Sequence, residues 1–238
     1  MTTGSVKWQS TLLALLLVFS GVVRASIIAY EWTEGGPGNG VDSTHASIHG
    51  TTGPVLADDF TPAVSGRVVR VDWWGTAPVT AGAASDLWEI TFHSDSSGAP
   101  SWPAIAQHFV SAAGVDSDGD GIFFFSANWS PMDVLLTSGQ DYWFSVANAS
   151  ASSSTPWNWA DALGAGPTVG SEQYDAMRSV GGAPSVVAGP HDGPWSSITD
   201  QDFAYRIWVE VPEPATLTLM SLGLVGLGFR RHRNKSSA

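Results

Sequence analysis

Between residues 26 and 211 no stretch repeats its apolar residues at the 3.6-residue interval of a helix. Short runs rich in β-branched and aromatic residues recur instead, at 27–32, 66–74, 87–93, 105–110, 121–125, 142–147 and 202–209. Clusters of Gly, Pro, Ser and Asp separate them, and the break at 94–100 has the composition of a turn. In 87–93, Trp88, Ile90 and Phe92 alternate with Glu89, Thr91 and His93, which predicts a half-buried strand. Eight or more such strands predict an all-β fold, an antiparallel β-sandwich of jelly-roll-like type. Residues 148–200, rich in Ser, Gly, Ala and Pro, predict long loops with short strands. No tandem repeat is visible.

The chain has 238 residues and no cysteine, so packing, hydrogen bonds or a bound ion must stabilise it without disulfides. All 22 acidic residues lie between Glu31 and Glu213, where the only basic residues are Arg67, Arg70, Arg178 and Arg206. Such a surface repels nucleic acid and anionic lipid, so no nucleic-acid partner is expected. Divalent cations and neutral polymers suit it better.

The two ends carry opposite features. Lys7, the apolar run 12–23 and the small residues Val23 and Ala25 form a secretory signal peptide over 1–25, with Ser26 as the expected mature N-terminus. Its partners are the secretion translocon and signal peptidase. An exported domain follows over 26–211. The tail, 212–238, begins with Pro212-Glu213-Pro214. Residues 215–229 have no charge, and residues 230–235 contain Arg230, Arg231 and Arg233. Fifteen helical residues reach about 22 Å, short of a bilayer core about 30 Å thick. A single transmembrane helix of this length suits temporary holding, with its basic cluster on the cytoplasmic side.

This tripartite tail resembles the PEP-CTERM sorting signal of Gram-negative bacteria. The resemblance implies an exosortase-like membrane protease that processes the chain near the motif, in a host that secretes exopolysaccharide. It further implies export across the inner membrane, transient anchoring, and a final place at the cell surface or outside it. The domain is also similar to a loosely defined group of exported β-sandwiches that precede sorting tails. The shared phrases are Ala57-Asp58-Asp59-Phe60, Val71-Asp72-Trp73-Trp74-Gly75, and residues 92–100 with Asp95, Gly98 and Pro100 at their turn. Gly139 with Asp141-Tyr142-Trp143, and Asp202-Phe203-Ala204-Tyr205-Arg206, complete them. That group implies no activity.

Asp116, Asp118 and Asp120, followed by Gly121, match the opening of an EF-hand-type calcium loop. The twelfth position is Ala127 in place of the bidentate Glu, so Ca²⁺ would need the Ile122 carbonyl and a remote carboxylate. An acidic hairpin turn gives the same pattern. Asp42, His45 and His49 offer a second metal set, but no catalytic Glu follows His45. There is no Gly-x-Ser-x-Gly elbow. Asp58-Asp59 and Asp86 with Glu89 are of the residue type glycosidases use, but sequence adjacency does not set the required separation of about 5 to 9 Å. No catalytic residue is therefore assigned.

Eleven of the twelve Trp lie in the exported domain. Trp73 and Trp74, as strand neighbours, must face opposite ways, whereas Trp157 and Trp159 share a face. An exposed pair at 157 and 159 would be a platform for sugar rings; a buried pair would be core. Three readings follow. The first is a structural or adhesive surface protein associated with exopolysaccharide. The second is a carbohydrate-binding module using exposed Trp. The third is a hydrolase, which clustered, desolvated carboxylates in a deep cleft would favour.

Overall fold

A computed structural model describes residues 24–33, 41–42, 55–76, 85–101, 103–128, 134–150, 157–162, 166–179, 195–198 and 201–212. The expected signal-peptide helix before Arg24 lies outside these residues. So does the tail beyond Pro212, with Glu213, Pro214, Arg230, Arg231, Arg233 and the expected transmembrane helix, and so do His45 and His49.

Among the described residues the regular elements are strands. They are β1 (Arg24–Trp32), β2 (Val41–Asp42), β3 (Val55–Phe60), β4 (Gly66–Gly75), β5 (Asp86–Ser94), β6 (Ala106–Ala112) and β7 (Phe123–Asn128). The series continues with β8 (Leu135–Leu136), β9 (Tyr142–Asn148), β10 (Asn158–Trp159), β11 (Met177–Ser179), β12 (Trp195–Ser197) and β13 (Tyr205–Pro212). They form two antiparallel sheets within a compact unit spanning Ser26–Glu210. One sheet runs β1-β13-β4-β10-β2, with β7 and β8 also paired to β4; the other runs β12-β11-β3-β9-β5-β6. From β3 onward the chain repeatedly changes sheet, as a jelly-roll-like sandwich requires.

The period-two pattern explains the core. Trp88, Ile90 and Phe92 turn inward from β5 and are fully buried. The expectation that β5 is half-buried is corrected, because Glu89, Thr91 and His93 on its other face are buried too. Polar partners make this tolerable: Gln107 Nε2 donates to Glu89 Oε1 at 2.5 Å, and the Thr91 hydroxyl donates to the same oxygen at 3.5 Å. β6, by contrast, keeps a regular alternation of exposed and partly buried residues.

Trp73 and Trp74 part company as strand neighbours should. Trp73 stacks against Phe125 at 5.7 Å and meets Trp88 edge-on at 5.2 Å. Trp74 joins a separate small core with Ile122, Ala160 and Ala204.

Trp157 and Trp159 do share a side, but they are core residues, each 0% exposed. The Trp157 ring packs edge-on to Trp88 at 4.7 Å, and Trp159 stacks on Phe203 at 4.6 Å. Their indole N–H groups donate to the carbonyls of Thr76 at 3.0 Å and Ala204 at 3.1 Å. The expected sugar platform is thereby corrected, since neither ring has a face free to stack. Gly75 makes the arrangement possible. A Cβ there would lie 2.2 Å from Trp157 Cζ2 and 2.5 Å from the Asn158 carbonyl. The loop-like composition around this pair suggests a rim, but β10 pairs with β4 through Trp159 opposite Gly75 and draws the segment inward.

Removing either ring should therefore leave a large cavity. Trp157→Ala or Trp159→Ala is expected to cost about 3–5 kcal/mol in urea unfolding of the full chain. A loss below about 1 kcal/mol at both positions would show that the rings are not core.

Candidate functional site

Among the described residues, two adjacent buried carboxyls stand on β3. Asp58 and Asp59 are neighbours on an extended strand, so they point to opposite faces. Both are 0% exposed. Asp59 reaches one closing segment: its Oδ2 accepts from Gln173 N at 2.8 Å and its Oδ1 from Tyr174 N at 3.1 Å. Asp58 reaches another, with Oδ2 accepting from Phe203 N at 2.8 Å. Thr61 and Ser171 exchange both backbone hydrogen bonds, at 2.7 and 3.1 Å, and carry the first segment alongside the strand. Tyr174 stacks on Trp143 at 6.0 Å, while Trp143 Nε1 donates to Asp95 Oδ1 at 2.9 Å.

Between these segments lies a cleft of about 430 Å³, lined by Glu172, Tyr174, Asp175, Met177, Ser197 and Asp202 among others. Two carboxyl oxygens here are buried without a hydrogen-bond partner, Asp58 Oδ1 and Glu172 Oε2. Burial and mutual repulsion govern the protonation of this group. Loss of hydration, then the charge of Asp202, raise the Asp58 carboxyl well above the usual range, against the opposing Phe203 hydrogen bond. Loss of hydration pushes Asp59 up to about 7, with Asp202 and Asp141 adding to it and its two backbone hydrogen bonds opposing it. Glu172 rises to about 8 through burial, then through Asp202, Asp59 and Asp175. The arrangement can hold protons at neutral pH.

The acidic pairs singled out in the sequence do not act as pairs. Asp86 and Glu89 have opposite parity on β5; Asp86 Oδ2 accepts from Asn148 Nδ2 at 2.7 Å, and Glu89 binds Gln107. Asp58 and Asp59 diverge, and each combines with residues more than a hundred positions away. Glu172 carries no sequence signal, because it sits alone in a Ser- and Gly-rich stretch. Asp202 stands in a shared phrase, yet nothing in that phrase points to β3.

Asp116, Asp118 and Asp120 come together between β6 and β7, with one ligand oxygen from each within 4.8 Å of the others. The loop's own amides use several of these oxygens. Gly119 N donates to Asp116 Oδ1 at 2.6 Å, Gly121 N to Asp116 Oδ2 at 3.3 Å, and Ile122 N to Asp120 Oδ1 at 2.8 Å. Gly119 and Gly121 adopt φ of 82° and 89°, where a side chain would be strained. Asp42 lies in β2 opposite Asn158, remote in sequence from this loop.

One comparison identifies the tail. The family described as the PEP-CTERM protein-sorting motif matches residues 210–233, which include Pro212-Glu213-Pro214, the apolar stretch and Arg230, Arg231 and Arg233. The chain thus carries the sorting signal of an exported, transiently membrane-anchored substrate of exosortase, a membrane protease. No curated protein matches the chain.

The raised carboxyls fix the sign of a pH dependence. Asp59 and Glu172 bind protons more tightly when folded, at about 7 and about 8 against ordinary values of 3.8 and 4.5. Their contribution to stability is complete below the ordinary values and is lost as pH rises through about 7 and 8. Thermal unfolding of the full chain in EGTA should give a lower Tm at pH 8.5 than at pH 5.5, and Glu172→Gln should shrink the difference. An equal Tm at both pH values, or one that rises with pH, would contradict this assignment.

Proposed function

We propose that the exported sandwich is a non-catalytic component of the Gram-negative cell surface or extracellular matrix, with a structural or adhesive role beside exopolysaccharide. The observation that carries this reading is the sorting motif over 210–233. The strongly acidic, lysine-free domain supports it, because such a surface stays soluble beside a neutral polymer and rejects polyanions. A hydrolase is the second reading, favoured by the cleft between Glu172 and Asp202. Against it, Asp59 commits both oxygens, and Asp58 one, to backbone amides. Carboxyls used as clasps are poorly placed to exchange protons with a substrate.

Processing is tested first, and the reducing-end assay then separates the two readings. Protein released by the native host should lack the residues that follow the Pro212–Pro214 motif when its intact mass is measured. Replacing Pro212 and Pro214 with Ala should leave it in the inner membrane. Retention of Arg230–Arg233 in the released form would overturn processing at this motif. The released protein should co-sediment with the host's exopolysaccharide without generating reducing ends. Reducing ends that disappear in Glu172→Gln would establish the hydrolase instead.

The loop at Asp116, Asp118 and Asp120 is proposed to take Ca²⁺, with the Ile122 carbonyl as a further ligand. Its three convergent oxygens support this. A ligand at a hundredfold excess over Kd stabilises the folded state by about 2.7 kcal/mol. Ca²⁺ should therefore raise Tm by several degrees over Mg²⁺ at the same concentration, and Asp118→Ala should reduce the gain. Equal melting curves in Ca²⁺ and EGTA at pH 6 would remove the site.

A further inference from the structure

We propose that β6 is a docking edge, on which a second copy of this chain pairs antiparallel across a two-fold axis at Phe109. The inference goes beyond the surface role and does not depend on it. β6 ends the six-stranded sheet, with β5 as its neighbour. Ala149 N donates to Leu87 O at 2.8 Å. By strand alternation the odd-numbered residues of β5 then turn their main chain toward β9, and the even-numbered ones toward β6. Val110 lies opposite Trp88 and His108 opposite Ile90, so the even-numbered residues of β6 bond to β5. The N–H and C=O groups of Gln107, Phe109 and Ser111 therefore point off the edge, and among the described residues nothing pairs with them. The other edges are held or short. β1 is bonded at Ala29 and Glu31 by Ala63, Thr168 and Val169, and Val115 exchanges both main-chain bonds with Phe124 of β7 at 2.9 Å. β2, β8 and β12 have only two or three residues. β6 has seven, in unbroken register with β5, with no proline and no charge. Short length, bulges, prolines and charges are what keep a sheet edge from pairing, and β6 lacks them all.

The edge selects its occupant, because it is its own complement. Pairing about Phe109 sets Gln107 against Ser111 of the second copy, and every outward group finds a partner in about six hydrogen bonds. The two Phe109 rings, 48% exposed in the single chain, meet across the axis, and aromatic cross-strand pairs are stabilising. Charge points to the same edge. With 22 acidic residues and four arginines between Glu31 and Glu213, two copies repel over most of their surface. Residues 105–114 carry no charge. On the face that Phe109 occupies, Glu89 stands opposite it on β5. In the paired sheet the two Glu89 positions are three strand spacings apart, about 14 Å. Screening at physiological ionic strength acts over about 8 Å, so this repulsion is largely removed. A single strand pair is a small interface, and the association should be reversible and follow protein concentration.

The test uses the full chain in detergent, its protein mass followed by light scattering as concentration rises. The expected result is a reversible monomer–dimer equilibrium. Ser111→Pro should weaken it by at least about tenfold, because this N–H faces the second copy and not β5: proline is tolerated within the chain but removes a symmetric pair of interchain bonds. Leu135→Lys, at an apolar residue 63% exposed on β8, should leave it unchanged. The chain has no cysteine, which allows a second measurement. Residues opposed in a hydrogen-bonded pair have Cα atoms about 5.5 Å apart, within reach of a disulfide. Under mild oxidation Phe109→Cys should therefore cross-link to a dimer. Ser111→Cys should not, because its two copies would stand about 14 Å apart along the strands. A monomer at every concentration, or a dimer that Ser111→Pro leaves intact, overturns the proposal. Cross-linking of Ser111→Cys as efficient as that of Phe109→Cys overturns it too, since the register would then be wrong. Mass that grows beyond the dimer would show an open, head-to-tail contact and refute the two-fold pairing. If near-ultraviolet circular dichroism shows that Ser111→Pro does not fold, the two cysteine variants decide.

Discussion

The carboxyls of Asp58 and Asp59 hold the closing segments of the sandwich to its six-stranded sheet. Adjacent strand residues face opposite ways, so one dipeptide reaches two segments at once. Asp59 takes the amides of Gln173 and Tyr174, and Asp58 takes that of Phe203, across 114 to 145 residues of chain. Those amides belong to irregular backbone that no strand can satisfy. Left unpaired in the interior, the buried amide of Phe203 would cost about 1–3 kcal/mol. The clasp is also why the carboxyls are buried, and burial is what raises their affinity for protons.

The other sheet treats a buried aspartate differently. Asp72 on β4 is fully buried as well, but its Oδ1 accepts from Arg70 Nε at 2.6 Å. Its Oδ2 accepts from Trp208 Nε1 at 2.9 Å and lies 3.5 Å from Arg206 Nη1. Arg206 also pairs with Glu31 and lies over the Trp74 ring, 5.5 Å from its centroid. Both oxygens of Asp72 thus have donors, two of them cationic. Asp58 has one amide and acidic neighbours. With so few basic residues in the domain, the contrast has weight: the chain places Arg70 and Arg206 at Asp72 and leaves an oxygen of Asp58 without a donor.

Much of the fold was legible because strand signals are local. The runs at 66–74, 87–93 and 142–147 became β4, β5 and β9 with ends shifted by one residue. The run at 202–209 starts as a strand only at Tyr205, because the amide of Phe203 is taken by Asp58. The opposed faces of Trp73 and Trp74 follow from strand geometry alone. Trp157 and Trp159 were legible as a pair but not as core, because their burial depends on the missing Cβ of Gly75, more than eighty residues earlier. The acidic cluster was least legible. Its members come from three distant segments, and only the folded chain brings Glu172 and Asp202 near Asp58. The sorting tail is the opposite case: its motif, apolar length and basic end are linear features, readable wherever the chain folds.

An exported chain without cysteine must tie distant segments together by other means. A disulfide does so by closing a long loop in the unfolded chain, with a stabilisation of about 2–4 kcal/mol. The Asp58 and Asp59 clasps join residues comparably far apart, yet they act only in the folded state and only through hydrogen bonds. Their strength therefore depends on what occupies the remaining carboxyl oxygens. Protons suppress the repulsion among Asp58, Asp59, Glu172 and Asp202 at low pH, and as they leave, the segments 171–176 and 201–203 are the parts of the sandwich that must bear the charge. A covalent bridge would be indifferent to the protonation of these groups. A carboxyl clasp makes the closure of this sandwich responsive to pH.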